Sequence, residues 1–313
     1  MSTTAPSTPA AARPAPRPAR SPRGGSPGPS STGRAESRTK LVLYVVGGTL
    51  ASLVFLVPLV WSVLRSFQPN DVIVSASPTW QQVFQLSLDN FRALFAGDAQ
   101  IARAVGNSLV VSISTAVLTA VLATLAGYGF GRFRFRGRNW LFGLVVVTMM
   151  VPFQAIITPL YLQMNAMGLT DSRLGLVLFY STVNLPFGVF VMRNAFETIP
   201  DEIEDSARVD GAGTFRSLVS VLRPLLLPGI ATSALYAFLA SWTEFLGALT
   251  FLTDDRLYTL PLSLVNLQSG AYGAVDFGYL VAGAVIAMVP CVVLYVALQR
   301  FYVAGLASGA VKG

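Results

Sequence analysis

The chain has no histidine, one cysteine (Cys291) and two lysines, Lys40 and Lys312. Without histidine and with a single thiol, it cannot supply a zinc, haem-histidine or iron–sulfur site. A Ser-His-Asp or Cys-His catalytic group is equally excluded, and so is an intramolecular disulfide. A phosphate-binding loop needs Gly-Lys followed by Ser or Thr. Lys40 lies between Thr39 and Leu41, and Lys312 precedes Gly313, so neither fits. The chain therefore reads as a non-enzyme without a cofactor. If ATP drives it, another chain must bind the nucleotide. Charge is also scarce: 12% of the 313 residues, against about 25% in a typical soluble domain. Hydrophobic residues reach 53%. So little charge cannot cover a water-soluble globule of this size, and a membrane protein is expected.

What is present is unevenly spread. Residues 1–40 hold eight of the 19 prolines and seven serines, with no Leu, Ile, Val, Phe, Trp or Tyr. Such a segment buries too little apolar surface to offset its ordering entropy, so it is expected to be disordered. It does not read as a signal peptide, because the apolar run begins only at Leu41 and is too long. Six apolar segments follow, at about 41–64, 106–130, 140–162, 174–192, 225–252 and 278–298. Each is near the roughly 20 residues that span a bilayer core. The expected fold is all-α and integral to the membrane, with six transmembrane helices.

Basic residues set the expected orientation. With the N-terminus cytoplasmic, the inner segments 1–40, 131–139, 193–223 and 299–313 hold 17 of the 22 Lys and Arg. The outer side keeps Arg65, Arg92, Arg103, Arg173 and Arg256. Both termini are then cytoplasmic. The tract Arg132-Phe-Arg-Phe-Arg-Gly-Arg138 reads as an inner-side topology anchor, not as a nucleic-acid site.

The inner loop 197–223 concentrates the acids: Glu197, Asp201, Glu202, Glu204, Asp205 and Asp210 are six of the 15. Pro200 suits a helix start, and acids follow it where a helix N-terminus favours negative charge. Glu204 precedes Arg208 by four, the favourable order for a helical ion pair. Gly211 is placed to end that helix in the left-handed conformation. Thr214 is a plausible N-cap for a second short helix, with Phe215, Leu218, Val219 and Leu222 on one stripe. The product is a helix–Gly–helix elbow. An interfacial helix lying on lipid is the plain alternative. The acid cluster disfavours it, because anionic headgroups repel carboxylates.

The stretch Asp205-Ser-Ala-Arg-Val-Asp-Gly211, followed after nine residues by Val221-Leu-Arg-Pro224, resembles the EAA loop of ABC-importer permeases. It departs from that pattern at Asp205, Ser206 and Arg223. Further matching segments are Leu88–Phe95, Tyr128–Gly137, Trp242–Leu246 and Gln299–Gly313. Together they resemble the carbohydrate-uptake, maltose/glycerol-phosphate branch of the binding-protein-dependent permeases, over about residues 41–313. The resemblance implies a permease in the cytoplasmic membrane that moves a sugar or oligosaccharide. It implies as partners two ATPase subunits, a second homologous permease and an extracytoplasmic solute-binding protein. It also implies that the elbow couples the chain to the ATPase, through Glu204, Asp205, Ser206, Ala207, Asp210 and Gly211. In that reading the acids meet basic groups of the partner, and Ala207 is small for close approach.

Asn184, Trp242 and Glu244 are the candidate residues of a translocation path. Ionisable and polar groups at membrane depth are functional candidates by default. Structural partnership within the bundle is the alternative for Asn184 and Glu244, and interfacial anchoring is the alternative for Trp242. An ion-coupled secondary transporter and a non-transporting membrane scaffold are the rival functions. The first leaves the elbow unexplained, and the second suits the basic tail but not the outer delivery-loop pattern.

Overall fold

A computed structural model describes residues 31–74, 79, 82, 84–96, 100–269 and 276–310. It divides into two compact units, Met1–Val57 and Pro58–Gly313. Among the described residues every regular element is helical. The elements are α1 (Ser31–Ser66), α2 (Asn70–Val74), α3 (Asp89–Ala96), α4 (Gln100–Arg132), α5 (Arg138–Thr148) and α6 (Phe153–Ala166). They continue with α7 (Arg173–Glu197), α8 (Asp201–Val209), α9 (Thr214–Thr243), α10 (Leu246–Phe251), α11 (Leu260–Gln268) and α12 (Phe277–Ala310). Of the tail expected to lack order, residues 1–30 lie outside the described residues. The backbone of 31–40 is helical and forms the start of α1.

Among the described residues, five helices are long and apolar enough to cross a membrane: Lys40–Ser66, Gln100–Arg132, Arg173–Glu197, Thr214–Thr243 and Phe277–Ala297. The expected third span, 140–162, differs from a single rod. It consists of α5 and α6, bent at 96° to each other, and counts as a sixth span only if the bent pair is one crossing. The cause is local. Pro152 has no N–H to continue the ladder and sits extended at φ −66, ψ 125. The expected fifth span, 225–252, is also interrupted. Its helix ends at Thr243, Glu244 is extended at ψ 133, and α10 resumes at Leu246.

The first span buries none of its apolar window within this chain. Leu43, Tyr44, Phe55 and Val57 are all exposed. Such an apolar surface suits a lipid environment.

The central bundle is α4 packed on α7 and α9, with α9 also against α7. Small residues permit the approach. A Cβ on Gly127 of α4 would lie 2.5 Å from the Cβ of Met192, and one on Gly131 would lie 2.7 Å from that of Phe196. A Cβ on Gly188 would meet Ala123 at 2.8 Å and the Ser233 hydroxyl at 2.6 Å. Ala123, Gly127 and Gly131 recur every four residues, the small-xxx-small spacing by which membrane helices pack closely. Side chains at one end of this bundle, including Tyr128, Phe142, Met192 and Phe196, form a core with Leu218, Leu222 and Leu226. The elbow is thus packed into the bundle.

Candidate functional site

The elbow begins at α8, whose N-cap is Pro200 and whose first turn carries Asp201, Glu202 and Glu204. It ends as the sequence predicts, at Gly211 with φ 80. The Gly211 N–H donates to the Arg208 carbonyl at 3.0 Å, and the Ala212 N–H donates to the Ala207 carbonyl at 2.9 Å. These are the two bonds of a Schellman motif. A side chain at 211 would meet nothing within 4 Å, so the requirement for glycine is conformational.

The second half of the elbow differs from the expectation of a separate helix. The N-cap position is taken by Gly213, not Thr214, and no side-chain cap bond forms. The helix passes through a π-helical stretch at Ser217–Leu222 and runs on without a break into the membrane helix. The apolar stripe is split. Leu218 and Leu222 are buried, while Phe215 is 75% exposed and Val219 partly so. Val209, at the end of α8, is 88% exposed.

The coupling residues separate into two sets. Asp205, Ser206, Asp210 and Gly211 are exposed. Glu204 and Ala207 are buried. Ala207 is therefore small for internal packing, not for approach of a partner. Glu204 is 3% exposed and engaged within the chain. The Tyr128 hydroxyl donates to its Oε1 at 2.7 Å, and Nη2 of Arg208 donates to the same oxygen at 2.8 Å. Nε of Arg132 lies 3.4 Å from its Oε2. Arg132 also pairs with Asp201 and donates from Nη2 to the Ile199 carbonyl at 2.9 Å. This clamp joins the first turns of α8 to the last turn of α4.

Sequence reasoning does not single out Tyr128 or Arg132 as site residues. Tyr128 lies 76 positions from Glu204, beyond any local pattern. The Arg132–Arg138 tract is accordingly not one object. Arg132 turns inward to the clamp, with its side chain 8% exposed. Arg134 and Arg136 are exposed and have no ion pair among the described residues.

At the other end of the bundle, Glu244 occupies the break between α9 and α10. Its carboxylate accepts from the Gly247 N–H at 2.8 and 2.9 Å, and the Tyr180 hydroxyl donates to it at 2.7 Å. It is half-buried and caps the helix that follows it. Asn184 is buried, with Nδ2 donating to the Tyr180 carbonyl at 2.7 Å. Trp242 is 1% exposed, stacked on Phe238, with Nε1 donating to the Ala287 carbonyl at 2.9 Å. Neither the stacking of a sugar nor interfacial anchoring suits a ring so enclosed. It is a link between α9 and α12. Buried hydroxyls of Ser112, Thr115, Thr119, Ser181 and Ser233, on the same three central helices, have no hydrogen-bond partner among the described residues.

The loop after α10 is stapled to the rest. Asp171, at φ 53, accepts the N–H groups of Thr253 and Asp254 at 2.9 Å each. Those amides, Asp254 first, hold its carboxyl below the usual carboxylate range. Asn107 donates from Nδ2 to the carbonyls of Arg256 and Tyr258. A carboxyl whose folded pKa is depressed stabilises above its unfolded value, near 3.9, and loses that contribution as pH falls through the folded value. The staple is therefore expected to be intact at pH 7 and at pH 5 and to loosen only in stronger acid. The check is amide-exchange protection at Thr253 and Asp254, corrected for intrinsic rate. Protection that disappears between pH 7 and 5 would contradict the assignment.

Comparison with known proteins bears on this architecture. Residues 120–307 match the family model described as binding-protein-dependent transport system inner membrane component. The chain is 32% identical over 258 residues to the trehalose transport system permease protein SugB of Mycobacterium tuberculosis, covering 82% of this chain and 93% of that one. It is 32% identical over 274 residues to the arabinooligosaccharides transport system permease protein AraQ of Halalkalibacterium halodurans, covering 87% and 96%. Its fold is similar to a chain in the crystal structure of a bacterial ABC transporter involved in the import of the acidic polysaccharide alginate. The TM-score is 0.70 at 21% identity, covering 88% of this chain and all of that one. All-helical, built on five to six apolar spans and matched to that family over most of its bundle, the chain belongs to the inner-membrane permease components of binding-protein-dependent transport systems.

Proposed function

We propose that this chain is the permease subunit of an ATP-driven importer that moves a sugar or oligosaccharide across the cytoplasmic membrane. The substrate class is carried over from relatives named for trehalose and arabinooligosaccharide transport. Both termini and the elbow lie on the cytoplasmic side, in keeping with the 17 of 22 basic residues assigned there. Two ATPase subunits, a second homologous permease and a solute-binding protein complete the assembly. The elbow is the ATPase-docking element.

One observation carries the reading. A surface of Asp205, Ser206, Val209, Asp210, Gly211 and Phe215 is exposed at a turn closed by the Gly211 and Ala212 hydrogen bonds. On one side it is continuous with α9, and on the other it is clamped through Glu204 to α4. A partner that moves this turn moves two membrane helices as a body, the rigid-body form of a switching transition. The docking surface is the exposed set, with Phe215 and Val209 as apolar anchors. Glu204 and Ala207 act behind it. Asn184 and Glu244 remain the polar groups of the translocation path in this proposal, reached when the contacts of α7 with α4 and α9 part. The enclosed Trp242 serves that motion as a link and not as a wall.

Co-expression with candidate ATPase subunits provides the test. The expected result is a stable complex and ATP-dependent sugar uptake in vesicles, both lost when residues 205–211 are replaced by a flexible Gly-Ser stretch. Uptake that proceeds without any ATPase would transfer support to an ion-coupled transporter. A complex with no uptake of any sugar would favour the scaffold.

A further inference from the structure

The clamp accounts for Arg132 and leaves the other arginines of its tract unexplained. Arg134, Phe135, Gly137, Arg138, Asn139 and Trp140 line an open cleft formed by the α4–α5 connection and the first turn of α5. Arg134 and Arg136 have no ion pair or hydrogen bond among the described residues, and the Arg138 side chain makes only a 3.5 Å bond to the Phe133 carbonyl. No acidic residue occurs in the sequence between Asp98 and Asp171. Asp201 and Glu204 are committed to Arg132, and Glu197 to Arg193. The cleft also opens on the first turn of α5, whose N-cap Gly137 offers no side-chain acceptor. The Arg138 N–H is taken by the Phe135 carbonyl, so it is the cationic side chains that converge on a concavity with no acidic residue lining it.

An apolar ridge leads away from it. Trp140, Leu144 and Val147 are exposed at i, i+4 and i+7 along α5, with Trp140 71% exposed. A soluble anion gains nothing from such a ridge. A lipid uses both parts, with its phosphate among the guanidiniums and an acyl chain along the ridge, while tryptophan is at home at the headgroup level.

We propose that this cleft binds the phosphate of an anionic phospholipid of the inner leaflet, such as phosphatidylglycerol. The inference rests on the proposed inner-face placement of residues 131–139. Charge sets the headgroup class. A choline ammonium would sit beside unneutralised arginines, whereas a glycerol headgroup brings no competing cation. The bound lipid fixes the height of the α4–α5 connection, and with it the end of α4 that holds the elbow clamp.

The test uses the full chain in neutral detergent. It is titrated separately with phosphatidylglycerol, phosphatidylcholine and inorganic phosphate, and adducts are read by native mass spectrometry. Phosphatidylglycerol is expected to bind at concentrations where the other two do not. R134Q/R138Q should weaken it roughly 30-fold, from two surface charges removed. W140A should weaken phosphatidylglycerol while changing nothing for phosphate. Thermal melting of each variant separates loss of the site from loss of the fold. Equal retention of phosphatidylcholine, or phosphate bound as tightly as the lipid, overturns the proposal. So does a double variant that keeps its lipid but loses a protein partner. The topological premise is read apart. The R136C variant in a C291S background is expected to react with an impermeant maleimide only from the cytoplasmic side. Reaction from outside would overturn the inner-face placement whatever the lipid result.

Discussion

Valine in place of Gly211 is expected to abolish ATP-dependent uptake while leaving the protein in the membrane at wild-type amount. The residue sits at φ 80, where a β-branched side chain is strained by roughly 1–3 kcal/mol. Space is not the issue, since a Cβ at this position would meet nothing within 4 Å. The strain has a local outlet. The turn can rearrange, and the Ala212–Ala207 and Gly211–Arg208 hydrogen bonds open without disturbing the spans. Exposed Asp210 and Phe215, on either side of the turn, then lose their mutual placement. Asparagine tolerates the left-handed region, so Gly211→Asn should retain much of the uptake. Uptake in membrane vesicles, normalised to the inserted protein on an immunoblot, gives the answer. Wild-type uptake by the valine variant would remove this turn from coupling.

Glu204→Ala should be the most damaging single change at the elbow. It removes one of the two carboxylates that face Arg132, leaving Asp201, and leaves the Tyr128 hydroxyl without its acceptor. Deleting one partner of a buried ion pair costs on the order of 3–5 kcal/mol when the other charge is left unpaired, and the Asp201 contact that Arg132 keeps moves this loss to the low end or below it. The elbow should detach from α4, become sensitive to limited proteolysis near Asp201, and lose its co-purifying ATPase. Glu204→Gln keeps an acceptor for Tyr128 and should fall between. Tyr128→Phe keeps the ring packed on Phe196 and Phe133 and gives up one hydrogen bond to a charged group, about 1.5–3 kcal/mol. The ranking is the informative quantity. If Tyr128→Phe proves as damaging as Glu204→Ala, the clamp is not organised around the carboxylate.

These two residues also mark how far the sequence can be read. Gly211 is legible because the demand for a left-handed residue after an acidic, Pro-initiated helix is local. The Glu204–Arg208 pair is legible for the same reason, being one helical turn apart, and it forms at 2.8 Å. The six apolar segments are legible from length and composition, and each overlaps a helix or bent helix pair. What escapes is tertiary. Nothing near Glu204 in the chain indicates that α4 brings Tyr128 and Arg132 onto it, so an inward carboxylate reads as one awaiting a partner. Trp242 reads from sequence as a ring beside an acid at membrane depth, and only the course of α12 shows that its N–H is taken by Ala287. Pro152 is visible, but prolines at 159, 186 and 290 lie inside continuous helices. Which proline bends a segment by 96° and which is absorbed depends on the carbonyls nearby finding other partners.

The unbroken run of α9 has a mechanical consequence. From Thr214 to Thr243 it counts 30 residues, which at about 1.5 Å per residue is a rod of roughly 45 Å. One end carries the exposed Phe215 and the other abuts the Glu244 break. If such a rod pivots at its elbow end by about 10°, the far end travels roughly 8 Å, by the length just given. A displacement of that size is comparable to the width of a sugar ring, so in the proposed assembly a modest tilt imposed at the elbow suffices to open or close a passage at the opposite face.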